Sequence, residues 1–590
     1  MRTVRCRCAV VGLIIICVLL GMSHSGRAED WRNIRNGHEI PDENYCDQPY
    51  VVVTDDGNWL CTLTTGEGRE GDLGQHVVST ISTDHGKTWS ELTDIEPADG
   101  PEASWVTPLK VPSGRIYAFY NYNGDNVHSF PDSDRHLRAD MLGWWCYRYS
   151  DDHGRTWSDE RYRIPMRVTA CDRANQWNGD VQIFWGIDEP SIAGDAAYFA
   201  FTKLGKYMLE DGEGWLFRSE DILDETDPDR IDFTLLPEGE HGIRNPKFGS
   251  VQEEHNLVWL GGDRFYCVYR TTTGYPAHCY SDDGGRSWSE PVHMTYTPDG
   301  RRMKNPRACP MLWRTKEGRY LFWFHNHSGK TFRDRNPVWI SGGKVKNGKL
   351  HWSEPEILLY DPDPDVRISY PDLIQQDGQF WVSETQKSVA RVHKIDRSLL
   401  EGLWKQGKVK SVTRDGLELS VEPDDSEKNQ FDTPDLSDVS DGGGFSIGMW
   451  VRFKNLKSGQ ILLDSRNDRG QGVWISTTEK DRLQLSFSDG KRTAAWDCDP
   501  GFLQTGKWHH IVFTVDGGPG IVTVVVDGRL CDGGEHRQYG WGRFDPKMGN
   551  VTGAKRMKMG TSFRGTLGSL RIYDRSLRTS EAIANYHAGR

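Results

Sequence analysis

The sequence has one long apolar run, Cys8 to Leu20, and no other stretch approaching it. A chain that crosses a membrane repeatedly by helices is therefore excluded, since each crossing needs about 20 apolar residues. Positive charge is also scarce. With 72 Lys and Arg against 85 Asp and Glu, the net charge is -13. Nucleic acid is disfavoured as a partner, because a phosphate-binding face is normally basic. An anionic small ligand stays open, since it needs only a few local cations. Cysteine is sparse too. Three of 12 (Cys6, Cys8, Cys17) lie in or beside the apolar run, and the other nine are scattered and odd in number, so there is no disulfide framework. Cys498 and Cys531, alone in the last third, are expected to bridge. No CxxC or zinc-type cluster is present, and no metal or other cofactor is expected. His325-Asn326-His327 puts two imidazoles on one strand face. Without a third ligand they read as ordinary strand polarity.

The apolar run follows Arg2, Arg5 and Arg7 and precedes small residues ending Gly26-Arg27-Ala28. That order is expected to be a secretory signal peptide, 1–28, cleaved after Ala28. An uncleaved anchor is the alternative, but the run is short for a span. The mature chain is expected to be secreted or periplasmic and free of the membrane. At 590 residues it is too long for one ordinary core, so two or more domains are expected. The 23 Trp and 63 Gly, set among short apolar runs, point to many strands and tight turns. Indole faces also suit sugars, although most of the Trp are expected to fill space between sheets.

Three segments share the pattern S-x-D-x-G-x-(T/S)-W: Ser82 to Trp89, Ser150 to Trp157 and Ser281 to Trp288. Each reads as a hairpin turn. The Asp carboxylate accepts backbone N–H groups, Gly supplies a left-handed bend, and Trp packs on the adjoining sheet. Asp151-Asp152 and Asp282-Asp283 are thereby turn residues and not catalytic ones. The first gap is 68 residues and the second 131, about twice as long. Degraded copies lie at Arg218-Ser219-Glu220-Asp221 and at Ile340-Ser341-Gly342-Gly343, followed by His351-Trp352-Ser353. Residues from about 30 to 405 thus hold six units, each long enough for a four-stranded propeller blade. Within the units, strand pairs are expected at Tyr50 to Leu63, Pro108 to Tyr120, Asn256 to Arg270, Cys309 to Phe324 and Asp372 to Ser383.

The last third has another grain. A charged linker, Glu422 to Lys428, precedes alternating strands at Phe445 to Phe453, Gly459 to Asp464, Leu483 to Phe487, Trp508 to Val515, Val522 to Val526 and Gly565 to Tyr573. Gly/Asp turns join them, as in a two-sheet antiparallel sandwich. The expected architecture is all-β: a propeller over 29–408 and a jelly-roll sandwich over 409–590.

The repeated turn resembles the Asp box of the sialidase (neuraminidase) superfamily, over about 40 to 400. Asp boxes occur in other propellers, so function rests on the site. The segments Gly506 to Val512, Val524 to Gly528 and Gly568 to Asp574 resemble the laminin-G-like, concanavalin-type jelly roll. Such modules bind glycans or stabilise an enzyme, and no residue set here picks out a ligand.

The resemblance implies a site with three Arg for a sugar carboxylate, a Tyr nucleophile, a Glu that takes the Tyr proton, and an Asp acid/base. Arg suits a carboxylate because its planar fork binds two oxygens. A neutral Tyr avoids setting an anionic nucleophile against an anionic anomeric centre. By unit position, Ser369-Tyr370-Pro371 matches the nucleophile segment. Glu254 matches the Tyr partner, with Glu253 competing, and Glu384 is an alternative base or ligand. Arg270 and Arg335 match carboxylate ligands, with Arg307 as runner-up. The first unit departs from the pattern. Asp47 and Gln48 of Cys46-Asp47-Gln48-Pro49 stand where an Arg is expected, leaving Arg69 or Arg391 as substitutes. Asp72 matches the acid/base, and Asp47 is a second candidate. Each could instead be structural: Tyr370 as packing, Arg270 as an ion pair, Asp72 as a solvated loop residue. The expectation is a secreted exo-glycosidase releasing a terminal sialic or related acidic sugar from glycans. The alternatives are a non-catalytic glycan-binding propeller with a lectin module, or a propeller hydrolase or lyase acting on uronic-acid polymers.

Overall fold

The computed structural model describes residues 29–422, 429–436 and 438–590, the side chains of 134–136 and Asp441 excepted; the expected signal peptide and most of the charged linker lie outside the described residues. Six antiparallel sheets follow one another along the chain, each led by an inner strand. The inner strands are Tyr45–Val53, Ala103–Lys110, Phe184–Trp185 with Ser191–Ala193, Gln252–Gly261, Met311–Arg314 and Ser369–Gln376. These are the six blades expected from the turn period. The ring closes at the sixth blade, whose outer strand is the N-terminal His38–Ile40 paired on Ala390–Ile395.

The Asp-box turns explain how blades stack. Asp84 Oδ1 accepts the backbone N–H of Lys87 (3.0 Å) and Thr88 (2.9 Å), and its Oδ2 accepts the Thr88 hydroxyl. These bonds, the backbone N–H of Thr88 first, hold the Asp84 carboxyl down to about 2. Ser82 Oγ accepts the N–H of Gly86 at 2.8 Å. Asp152 and Asp283 repeat the pattern. Glycine is required twice over at the bend. Gly154 has φ +85° and Gly285 φ +85°, and an added Cβ would lie 2.3 Å from Leu60 and 2.9 Å from Leu216, each on the preceding blade. Of the degraded copies, Ser219 ends its strand and leads into a short 3-10 turn, Asp221–Leu223. Ser341 lies inside Val338–Lys346, so the fifth blade turns later, at Asn347-Gly348. Trp59, Trp145, Trp215, Trp323 and Trp339 are fully buried and are among the largest side chains filling the propeller cores.

The C-terminal strands form two antiparallel sheets of seven and six strands around a separate apolar core. Cys498 and Cys531 lie in that core as free thiols, which corrects the expected bridge. Each sulfur instead accepts a backbone N–H, from Leu483 and Asp499 respectively, both at 3.4 Å. The sandwich is not loosely tethered. One apolar cluster runs from Tyr266, Phe322 and Trp339 of the propeller to Val512, Val525 and Trp541 of the sandwich. The propeller's Glu356 carboxylate also accepts the first N–H groups of the C-terminal helix Thr579–Ala588, from Thr579 (2.8 Å) and Ser580 (2.7 Å). Among the described residues, no helix is long and apolar enough to cross a membrane.

Candidate active site

Four of the six inner strands break at one equivalent position. The register slips between Asp47 and Tyr50, Ser104 and Thr107, Glu253 and Asn256, and Ser369 and Asp372. At each slip one non-glycine residue takes a left-handed backbone: Gln48 (φ 49°), Trp105 (φ 60°), Glu254 (φ 57°) and Tyr370 (φ 47°). Such a conformation costs about 1–2 kcal/mol per residue, and a bulge re-aims its side chain. Repetition around one ring means that the strain is built in. Beyond the slips the strands are stapled to one another. Val51 N–H donates to Asp372 (2.6 Å), Leu312 N–H to Asn256 (3.0 Å) and Leu257 N–H to Asp188 (3.2 Å), so the bulged residues sit on a fixed frame.

Two of these residues meet across the ring. The Tyr370 hydroxyl on the sixth blade donates to Glu254 Oε1 on the fourth at 2.8 Å. Both side chains are buried, and the other Glu254 oxygen has no partner among the described residues. Burial, then the Glu254 charge, pushes the Tyr370 phenol well above its usual range, so the ground state is a neutral hydroxyl facing a carboxylate. Arg270 lies beside the pair. It bonds Glu254 and also holds Glu253, with Nε donating to Glu253 Oε2 at 2.6 Å. Arg307 Nη2 donates to the other Glu253 oxygen at 2.9 Å. Glu253 is thus the carboxylate that fixes two guanidinium groups, while Glu254 faces Tyr370. Arg335 Nη1 donates to Ser369 Oγ (2.7 Å) and Nη2 to the Arg307 carbonyl (3.1 Å). Among the described residues it has no carboxylate partner, and its Nε is buried without a hydrogen bond.

The first-blade side is built differently. Asp47 is fully buried, accepts the Tyr45 hydroxyl at 3.0 Å and bonds Lys387. Burial raises its pKa, and the Lys387 charge only partly offsets this. Lys387 comes from the hairpin after Gln379–Thr385. Its Nζ stands 4.2 Å over the Tyr370 ring and 5.3 Å over Trp105, and it reaches Glu70 at 3.3 Å. Glu70 also takes Arg138 at 3.1 Å. Burial would raise the Glu70 carboxyl, but Lys387 and Arg138 override it and hold it down to about 2. Gln48 donates to the Gly186 carbonyl at 2.9 Å, and its side-chain oxygen is unpartnered among the described residues.

Other sequence candidates lie apart from this centre. Asp72 is exposed and accepts the N–H of Arg69 at 2.7 Å, closing its own loop, and Arg69 is exposed beside it. Arg391 pairs with Glu39 on the outer strand. Glu384 is buried against His393 (3.1 Å) and bonds Gln386. His327 is pushed down to about 4 by burial; its Nε2 lies 2.7 Å from the Asp334 carbonyl. Lys387, Glu70, Arg138 and Trp105 were missed. Glu70 stands two residues from Asp72 and was the one within reach of the motif. Lys387 carries no motif and joins the site only by blade closure.

Three family profiles match parts of the chain. Residues 239–382 match the BNR repeat-like domain, 80–91 and 148–159 the BNR/Asp-box repeat, and 425–583 the concanavalin A-like lectin/glucanases superfamily. No protein of curated function matches the sequence significantly. Among solved structures the chain is similar to a Trypanosoma rangeli sialidase, at 13% identity and TM-score 0.42, over 92% of this chain and 94% of that one. It is similar to a Dyadobacter fermentans protein of unknown function, at 12% identity and TM-score 0.46, over 61% and 97%. A Hadza microbial sialidase is similar at 16% identity and TM-score 0.42, over 60% and 66%.

Proposed function

We propose that this sialidase-like Asp-box propeller, with its concanavalin-like jelly roll, is an exo-acting glycoside hydrolase that releases a terminal sialic or related acidic sugar from glycans. The observation that carries the reading is the Tyr370 hydroxyl on Glu254 at 2.8 Å, on two strained bulges of the sixth and fourth blades. A buried neutral phenol becomes a nucleophile only if its proton has somewhere to go, and Glu254 is that place. Tyr370 Oη attacks the anomeric carbon while its proton passes to Glu254. Asp47 gives its proton to the departing glycosidic oxygen. Water then loses a proton to Asp47 and attacks the same carbon, the bond to Tyr370 breaks, and Glu254 returns the proton. Two displacements retain the anomeric configuration. Asp47 suits the acid role better than Asp72, because burial raises its pKa and Lys387 ties it to the Tyr370 ring. Arg335, Arg270 and Arg307 receive the substrate carboxylate. Lys387 supplies the cation on the side where the first-blade Arg is missing.

In this reading residues 1–28 direct export, 29–408 form the catalytic propeller and 409–590 the sandwich, acting on extracellular or periplasmic glycans. The test uses the chain from Glu29 onward with a fluorogenic sialoside and with a 2,3-difluoro acidic sugar. Fluorophore release, together with an intact-mass increase of one sugar lost in Tyr370→Phe, supports the reading. Glycan binding with no release from any acidic glycoside would replace it with a binding module.

A further inference from the structure

The sandwich touches the propeller at the loop that carries Arg335. We propose that the segment Asp532 to Arg543 of the sandwich is a positioning element of the active site, clamping the Arg335 loop from behind. The propeller then supplies the ligand-binding side chain and the sandwich fixes the loop that presents it. This rests on the reading of Arg335 as a substrate ligand.

The contacts form a continuous path. Arg543 Nη2 donates to the Asn336 carbonyl at 2.5 Å, next to Arg335. On the other flank, the Asp334 carbonyl lies 2.7 Å from His327 Nε2. The His327 ring stacks on Tyr539 of the sandwich with centroids 4.8 Å apart, and Gln538 lies 3.3 Å from its Nδ1. Burial keeps His327 neutral, so its ring can stack and bond without a charge. Trp541 Nε1 donates to the Asn326 carbonyl at 3.1 Å, and Ser328 N–H to the Gln538 carbonyl at 3.2 Å. Below, Lys304 Nζ donates to the carbonyls of Asp532 (2.6 Å) and Arg537 (2.8 Å), three residues before Arg307.

Both neighbours of Arg335 are therefore tied, one directly to the sandwich and the other through an imidazole that the sandwich covers. The path continues inward, because Arg335 bonds Ser369, the residue before Tyr370, and the Arg307 carbonyl. Arg335 needs this outside support because it has no carboxylate partner of its own among the described residues. Arg270, gripped by Glu253 and Glu254, needs none. A side chain left to find its own rotamer loses affinity for a ligand that needs a fixed fork.

The experiment uses the full mature chain with Arg543→Gln, Arg543→Lys and Tyr539→Ala. Hydrogen exchange reads the clamp without requiring activity. Faster exchange confined to about 333–337 and 366–370, with blade strands protected as in the parent and an unchanged Tm, is the expected result. On an acidic glycoside, KM rises about tenfold in Arg543→Gln with kcat within about threefold, since remote positioning of a binding group acts on uniform binding. Arg543→Lys recovers much of the loss. Unchanged exchange in those segments overturns the proposal, as does an unchanged KM in an active enzyme. If the parent releases no sugar from any glycoside, the hydrolase reading fails while the exchange result still decides the clamp. A variant that unfolds is replaced by Tyr539→Phe, which keeps the stack, beside Tyr539→Leu, which removes it.

Discussion

The propeller carries two sets of carboxylates, at its outer turns and at its inner mouth, and they are satisfied in opposite ways. In an Asp box, Asp152 is bonded by Thr156 and Ser150, all within one seven-residue turn. Its environment is complete before any blade is packed. At the mouth, Glu254 is bonded by Tyr370, 116 residues away in sequence, and Asp47 by Lys387, 340 residues away. Outer carboxylates are held down by local N–H donors, whereas Asp47 and the Tyr370 phenol are pushed up by burial. A local, satisfied carboxylate shapes the chain. A remote one is completed only by residues that ring closure brings to it.

The largest test of this contrast is to disable one set and watch the other. Tyr370→Phe should cut turnover on the order of 10³-fold or more while the thermal midpoint stays that of the parent. Loss of midpoint in step with activity would make Tyr370 a packing residue. Gly154→Ala should do the reverse. The left-handed bend and the contact with Leu60 predict a loss of about 2–4 kcal/mol in denaturant unfolding, with kcat of the folded fraction preserved. Asp152→Ala should act the same way more weakly, about 1–3 kcal/mol. Lys387→Met sharpens the comparison through pH. Lys387 lowers the Asp47 pKa against burial, so removing it raises that pKa further, and the alkaline limb of kcat/KM moves to higher pH. A limb that stays put would take Asp47 out of the acid role. Asp72→Asn, in a self-closed exposed loop, should leave kcat/KM within about twofold; a large drop would restore Asp72 as the acid.

Legibility followed the same division. The Asp boxes gave the blade number because the side-chain bonds of their Ser and Asp span four residues or fewer, and the doubled gap marked the degraded third copy. Tyr370, Glu254, Arg270 and Arg335 were reached by unit position, and the structure gathers them at one centre. Lys387 and Trp105 were not reached, because nothing near them in sequence differs from an ordinary hairpin or strand. The Cys498–Cys531 bridge misled for a related reason: two cysteines alone in the last third suggested a bond, while in the fold backbone N–H groups are available to each sulfur.

By itself the sequence determined the repeat, the all-β architecture and six of the sandwich strands, since these depend on periodicity and on turns that close within a few residues; the departure at Asp47 and Gln48 was visible only against the family it resembles. Only the tertiary structure decided which carboxylate faces Tyr370, which cation stands against Asp47, and that the sandwich backs the Arg335 loop. Closing a six-bladed ring brings together residues hundreds of positions apart, and burial at that meeting point sets their protonation.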